Sequence, residues 1–280
     1  MIRIVFLLII LFSEVLGQNS LLELVDNTSL TTMPIQATFK ATRIVNAQSI
    51  EMPRKNTLEF MILHRFGSMS NGLYDFFGMD EAVIRFDLKY GIGEKFAFGI
   101  GRSSLKKTYD LFSKVRLLRQ KYGERPVPIT LVLFTKIEIE TVIKDMDSSD
   151  RYTFDIQTLI ARKFNQNLSL QVMPTLIHKN FVFNQDESND LFSIGIGGRF
   201  KISKRTSINF DTFFPIGSRP QSYTRGWGIG YDIDTGGHIF QLMITNAQGS
   251  YESKYIEQAT GDFKNFNLYI GFNITRVFTL

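Results

Sequence analysis

The three histidines, His64, His178 and His238, are the side chains of this sequence that titrate nearest neutral pH, and cysteine is absent. Two residues beyond them stand Phe66, Asn180 and Phe240, so none has the serine that would complete a base–nucleophile pair on one strand. No two histidines are spaced i, i+2 or i, i+4, which removes the commonest metal-ligand spacings. The missing thiols exclude a disulfide, a thiolate metal site and a lipid-modified cysteine. Gly91, Gly99, Gly101, Gly195, Gly197, Gly228, Gly230 and Gly271 fall on one phase of the chain, and no G-x-G-x-x-G precedes a helix, so a nucleotide loop is not expected. Glycine on the inside of a tightly curved sheet relieves crowding instead. No catalytic constellation and no cofactor are expected.

What is left is a set of charged residues: Glu59, Arg65, Arg85, Asp87, Lys89, Lys114, Arg116, Lys136, Glu138, Asp155, Arg199, Asp211 and Asp232. Gathered in one interior, they would either neutralise one another as an ion-paired network or line a narrow pore. The carboxylates are spread over many segments, so no general acid and base can be assigned.

The segments that carry these charges alternate. Between Glu81 and Gly101, Ala82, Ile84, Phe86, Leu88 and Tyr90 share one face of a strand, and Glu81, Arg85, Asp87 and Lys89 the other. A soluble sheet would turn the oily face to its core, and a membrane barrel would turn it to lipid. Alternation of this kind predicts twelve strands, at roughly 57–67, 81–92, 94–103, 108–119, 127–140, 151–163, 167–181, 191–202, 205–214, 226–234, 237–246 and 264–278. Most are longer than the roughly 5–6 residues of soluble strands and reach the 9–11 a tilted membrane strand needs.

The joints decide between the two readings. Tight turns (Gly91-Ile-Gly-Glu94, Asn165-Gln-Asn167, Ser203-Lys-Arg205, Asp234-Thr-Gly-Gly237) alternate with longer polar segments at 68–80, 141–150, 181–190, 215–225 and 247–262, although 102–107 is short and 120–126 long for their places. An up-and-down outer-membrane barrel makes this alternation, with turns at the periplasmic rim and loops outside. Ile84, Phe86 and Leu88 are therefore assigned to lipid, and Arg85, Asp87 and Lys89 to the interior. Trp227, Tyr90, Tyr109, Tyr152 and Phe66 lie near strand ends, as an interfacial aromatic girdle would.

Arg3, the apolar run Ile4–Phe12 and a small residue at Gly17 read as a signal peptide over 1–17, which implies export to the bacterial outer membrane. Residues 18–56 are expected as a periplasmic or lumen-inserted segment, and 57–280 as the barrel. Net charge is only +5 and scattered, so nucleic acid is not an expected partner.

Several stretches carry a resemblance: Ala37-Thr-Phe-Lys-Ala-Thr-Arg43, Leu58-Glu-Phe60, His64-Arg-Phe-Gly67, Ile100-Gly-Arg-Ser-Ser104 and Leu159-Ile-Ala-Arg-Lys-Phe164. Met173-Pro-Thr-Leu176, Asp234-Thr-Gly-Gly-His-Ile-Phe-Gln-Leu242 and Gly271-Phe-Asn-Ile-Thr-Arg-Val-Phe278 extend it. Together they resemble a Bacteroidota family of outer-membrane β-barrels of unknown function, over essentially the whole chain after the leader. The resemblance implies a barrel and a location, and no catalytic residues. It also implies genomic neighbours that encode a periplasmic lipocalin-like lipid or quinone carrier and c-type cytochromes, hence a redox- or lipid-related partner.

The expectation is an all-β, antiparallel up-and-down transmembrane barrel of about twelve strands. Its role would be a narrow channel or solute- or lipid-handling barrel with a mixed-charge lumen; the alternatives are a closed structural or partner-docking barrel, and an outer-membrane hydrolase. Expected partners are outer-membrane lipid, a small solute or lipid, and a periplasmic carrier protein.

Overall fold

The computed structural model describes residues 32–142, 147–182 and 187–280. The leader expected at 1–17 and the first part of the 18–56 segment lie outside the described residues. Among the described residues no helix is long and apolar enough to cross a membrane.

Twelve antiparallel strands close into one barrel, each pairing with its neighbours in the chain. They are β1 (Thr57–Ser68), β2 (Ala82–Gly91), β3 (Phe96–Ser103), β4 (Tyr109–Leu118), β5 (Thr130–Ile139) and β6 (Tyr152–Lys163). The second half comprises β7 (Leu168–Lys179), β8 (Asp190–Lys201), β9 (Thr206–Ile216), β10 (Trp227–Asp234), β11 (His238–Thr245) and β12 (Tyr269–Thr279). β12 returns to β1, from Thr57 opposite Thr279 to Ser68 opposite Tyr269, so the barrel closes on itself. The expected strands match within a few residues except the last, which begins at 269 rather than 264. There Asp262 and Asn267 exchange backbone hydrogen bonds, each 3.0 Å, and Phe266 takes a left-handed φ of 55°, so the chain turns before it can extend.

The faces are inverted relative to a soluble sheet. In β2, Arg85 and Asp87 are 0% exposed while Phe86 between them is 41% exposed. Charged residues are almost never fully buried in soluble proteins unless paired, and a wall whose oily face is outermost has lipid as its solvent. The barrel therefore has its hydrocarbon surface outside and its charges inside.

The interior is not purely polar, as the alternation alone suggests. Phe112, Val132, Phe134, Leu159, Met173 and Phe213 point inward from the wall and pack with Phe39, Ile44, Val45, Ala47 and Ile50 of the N-terminal segment. Residues 37–50 run inside the barrel, buried nearly throughout. They double back as a tight hairpin: Ser49 N–H donates to Thr42 C=O (3.0 Å), Ile44 N–H donates to Ala47 C=O (2.8 Å), and Arg43 bridges Gln48. Before it, Met33–Pro34 pair with Lys121–Tyr122 at the end of the barrel that carries the short turns.

The segment expected at 247–262 as outer surface is corrected: Ala247, Tyr251, Glu252 and Ile256 are buried, and Ser253–Glu257 form one π-helical turn. It enters the lumen from the long-loop end, where Tyr255 meets the ring of Phe213 at 5.4 Å.

Candidate functional site

The lumen is the site, and its side chains act first on the hairpin's backbone. A peptide group taken from water needs a partner, and a hairpin surrounded by side chains finds few in another strand. Asp211 of β9 answers this most directly: its Oδ2 accepts the N–H groups of Val45 (3.0 Å), Asn46 (2.8 Å) and Ala47 (2.8 Å). Three successive amides converging on one carboxylate form an anion-binding nest, with the anion supplied by the wall. Gln171 mimics a strand, accepting from Ile50 N–H at 3.0 Å and donating to Gln48 C=O at 2.7 Å. Lys114 donates to the carbonyls of Thr42, Ser49 and Glu51 at 3.1, 2.7 and 3.2 Å. Arg199 donates to Ala37 and Thr38 carbonyls, and Arg65 reaches Asn46 Oδ1 at 3.2 Å.

Most of the remaining charges form one ion-paired group. Glu59 and Lys89 stand opposite each other in register and meet at 2.8 Å, with Thr42 of the hairpin donating to the same Glu59 oxygen. Arg43 reaches Asp87 at 3.3 Å. Arg85 sets its Nε 2.6 Å from Asp87 and grips Asp110 with both terminal nitrogens, at 2.5 and 2.8 Å. Lys136 lies 2.5 Å from Glu252, 2.8 Å from Glu138 and 3.8 Å from Asp110. Asp110 and Glu138 face each other across β4 and β5, a like-charge pair that the two cations make tolerable. Asp232 is held by Gln241 (3.0 Å), which also donates to the carbonyls of Arg43 and Ile44.

Arg85 on β2 reaches Asp110 on β4 by lying across β3, directly over Gly101, which is opposite Asp87 on one side and Asp110 on the other. A Cβ at Gly101 would stand 2.0 Å from Arg85 Nη2. Gly101→Ala is therefore expected to cost at least the ~1–3 kcal/mol of an overpacked core, read as a lower urea midpoint for the heat-modifiable folded band.

The infolded loop closes the other end. Glu252 accepts from Gln48 (2.9 Å) and Tyr255 (3.0 Å), so loop and hairpin touch. Ser253 donates to Glu138 at 2.6 Å, and Lys179 is bound by Glu187 (2.5 Å) and Glu257 (2.6 Å). At the mouth Lys254 lies 3.1 Å from Glu140. Burial pushes its ammonium down to about 8 against the pull of Glu140. Burial favours the neutral acid at Glu140, yet Lys254 and Lys106 hold its carboxyl below the usual range.

Of the thirteen charged residues singled out in the sequence, twelve are buried inside the barrel. Arg116 differs from them: next to a bulge in β4 it lies half-buried at the short-turn rim, donating to Glu94 C=O at 2.9 Å. Asp110 was legible, since it shares the inward phase with Lys114. Arg43, Glu187, Glu252 and Glu257 are not legible, because nothing in a polar segment signals that it will fold into a polar lumen, whereas Lys179 shares the inward phase of β7 with Gln171.

The histidines stay outside this group: His64 stacks on Phe272 on the outer wall (4.8 Å, 4° between planes), and His178 pairs with Asp190 at 2.7 Å, exposed. His238 is the first residue of β11.

Solved structures of similar shape include porins. The NanC porin shares 10% identity with a TM-score of 0.50, the match covering 80% of this chain and 99% of that one. The KdgM porin shares 7% identity (TM-score 0.49, 79% and 99% covered), and Omp33 of Acinetobacter baumannii 8% (0.46, 82% and 100%). No curated protein matches the sequence. With residues 39–278, hairpin and barrel together, matching its profile, the chain belongs to the membrane bound beta barrel domain family (DUF5777).

Proposed function

We propose that this protein is an outer-membrane barrel closed at rest, with residues 37–53 as its stopper and the loop at 246–268 as its lid. The observation that carries this reading is the triple grip of Asp211 on Val45, Asn46 and Ala47. A wall carboxylate aimed at three consecutive amides is complementary to a docked backbone, not to a passing solute. On this reading the short turns face the periplasm, and the strand pair at Met33–Pro34 ties the stopper to that rim, within reach of a periplasmic carrier protein. A narrow channel for a small solute or lipid is the second reading; the porin fold favours it, and withdrawal of the hairpin would open it. Outer-membrane lipid is the surrounding partner: an apolar groove of about 570 Å³ on the outer wall, lined by Phe60, Phe86, Leu88, Ile100 and Leu111, fits an acyl chain. The protein acts without catalysis on this reading, and release of fatty acid from micelles by purified protein would refute that part.

The absence of cysteine makes a clean test available. A Cβ added at Gly228 would lie 2.8 Å from Val45 Cγ1, within disulfide reach. Val45→Cys with Gly228→Cys is expected to cross-link on mild oxidation, and both the oxidised and the wild-type protein should show no steady conductance in planar bilayers. Failure to cross-link, or steady current through the oxidised protein, would refute the closed reading.

A further inference from the structure

We propose that Glu138, Asp155 and Glu252 bind one hard divalent cation of the Ca²⁺ or Mg²⁺ class, which fastens the infolded loop to the barrel wall. One carboxylate oxygen from each lies within 4.8 Å of the other two, and all three residues are buried. Glu138 and Asp155 belong to neighbouring wall strands β5 and β6, whereas Glu252 comes from the loop, so a shared ion would join elements far apart in sequence.

The second observation is Asp155 itself. It is 1% exposed, no N–H or O–H donor among the described residues reaches either of its oxygens, and its one close hydrogen-bonding neighbour is the carboxyl group of Glu138. Lys136 stands directly opposite it in register, yet its ammonium turns to Glu252 and Glu138, and no ion pair within 4 Å forms with Asp155. Two residues further along the same inward face, the side-chain oxygen and nitrogen of Gln157, also fully buried, lack partners as well. A bare buried carboxylate is among the least tolerable groups in an interior.

Charge points the same way. Glu59, Asp87, Asp110, Glu138 and Glu252 are joined by ion pairs to Arg43, Arg85, Lys89 and Lys136. Asp155 adds a sixth carboxylate against those four cations, so the ion-paired group and its neighbour carry more acid than base. The donor set is carboxylate oxygen, with no imidazole or thiolate, and such a set selects Ca²⁺ or Mg²⁺ over softer metals. Glu138 Oε2 accepts from Ser253 and retains a lone pair, while no donor group competes for the oxygens of Asp155.

The test uses the full refolded protein in detergent, stripped with EDTA. Excess Ca²⁺ or Mg²⁺ should raise the temperature of the heat-modifiable gel transition by several degrees, with no rise from NaCl at matched ionic strength. Asp155→Asn should abolish the response and, in EDTA, melt above the wild type because the unpartnered charge is gone. Equal transitions in EDTA and in both cations would overturn the proposal, as would an undiminished response in Asp155→Asn, which would place the ion elsewhere. A second readout needs no variant. Tyr255 donates to Glu252 at 3.0 Å, so Tb³⁺ bound there should show tyrosine-sensitised emission that Ca²⁺ displaces. Absence of displaceable emission would also overturn it. The Val45–Gly228 cross-link reports the stopper independently, so the two readings fail separately.

Discussion

Arg85→Met is expected to destabilise the barrel by about 3–5 kcal/mol, the usual penalty for removing one partner of a buried ion pair. Arg85 is the largest contributor because its guanidinium serves two carboxylates at once, Asp87 at 2.6 Å and Asp110 through a bidentate grip at 2.5 and 2.8 Å. Methionine fills the volume and leaves both buried acids short of a counter-charge. Asp87 keeps Arg43 at 3.3 Å, but Asp110 keeps only Lys136 at 3.8 Å, an ammonium already shared with two glutamates. Arg85→Lys should recover little, because a point charge lacks the fork that spans Gly101 to meet both Asp110 oxygens. Adding Asp110→Asn to Arg85→Met should restore part of the loss, and the coupling in that double-mutant cycle measures the pair. The measurement is the urea dependence of the folded gel band for protein refolded in lipid vesicles. A loss below about 1 kcal/mol would mean that Arg85 is solvated and the lumen wet.

The same residue shows what the sequence could and could not convey. The outward phase of β2 is written plainly, since lipid demands an apolar side chain at Ile84, Phe86 and Leu88, and the period of two runs unbroken along this strand. Loop alternation added direction, and the architecture followed. The inward phase is less constrained. A lumen filled by protein accepts charge where charge meets it and apolar groups where apolar groups meet them, so Phe112, Phe134 and Phe213 sit on the same face as Lys114, Lys136 and Asp211. Residues 37–50 carry no clear period, because a hairpin enclosed on every side has no solvent face to mark one. The loop holding Glu252, Ser253, Lys254 and Glu257 reads as exposed for a related reason: burial inside a polar lumen selects polar residues. Hydropathy reports contact with lipid or oil, and it does not separate water from a lumen lined with carboxylates. Partners across the barrel, such as Arg43 with Asp87, are forty-four residues apart and become visible only once the strands close.

Asp211→Ala is expected to free the stopper without dissolving the barrel. Its carboxylate is the sole acceptor recorded for the N–H groups of Val45, Asn46 and Ala47 among the described residues. Each buried N–H left without an acceptor costs about 1–3 kcal/mol, so the docked hairpin loses several kcal/mol in all. The wall loses little, because β9 keeps its full ladders to β8 and β10. Local opening should therefore increase far more than global unfolding. Trypsin offers the readout: Arg43 is 1% exposed in the docked hairpin and becomes cleavable when the hairpin leaves. Cleavage after Lys40 and Arg43 should be faster in Asp211→Ala than in wild type by a factor of about ten for every 1.4 kcal/mol lost from docking. Asp211→Asn should fall between them, since a neutral amide oxygen still accepts but without charge assistance. Bilayer recordings of the Ala variant should show transient openings that the Val45–Gly228 disulfide suppresses. Resistance to trypsin equal to that of wild type, with silent bilayers, would mean that the other contacts of the hairpin suffice, and that Asp211 is not what keeps the barrel shut.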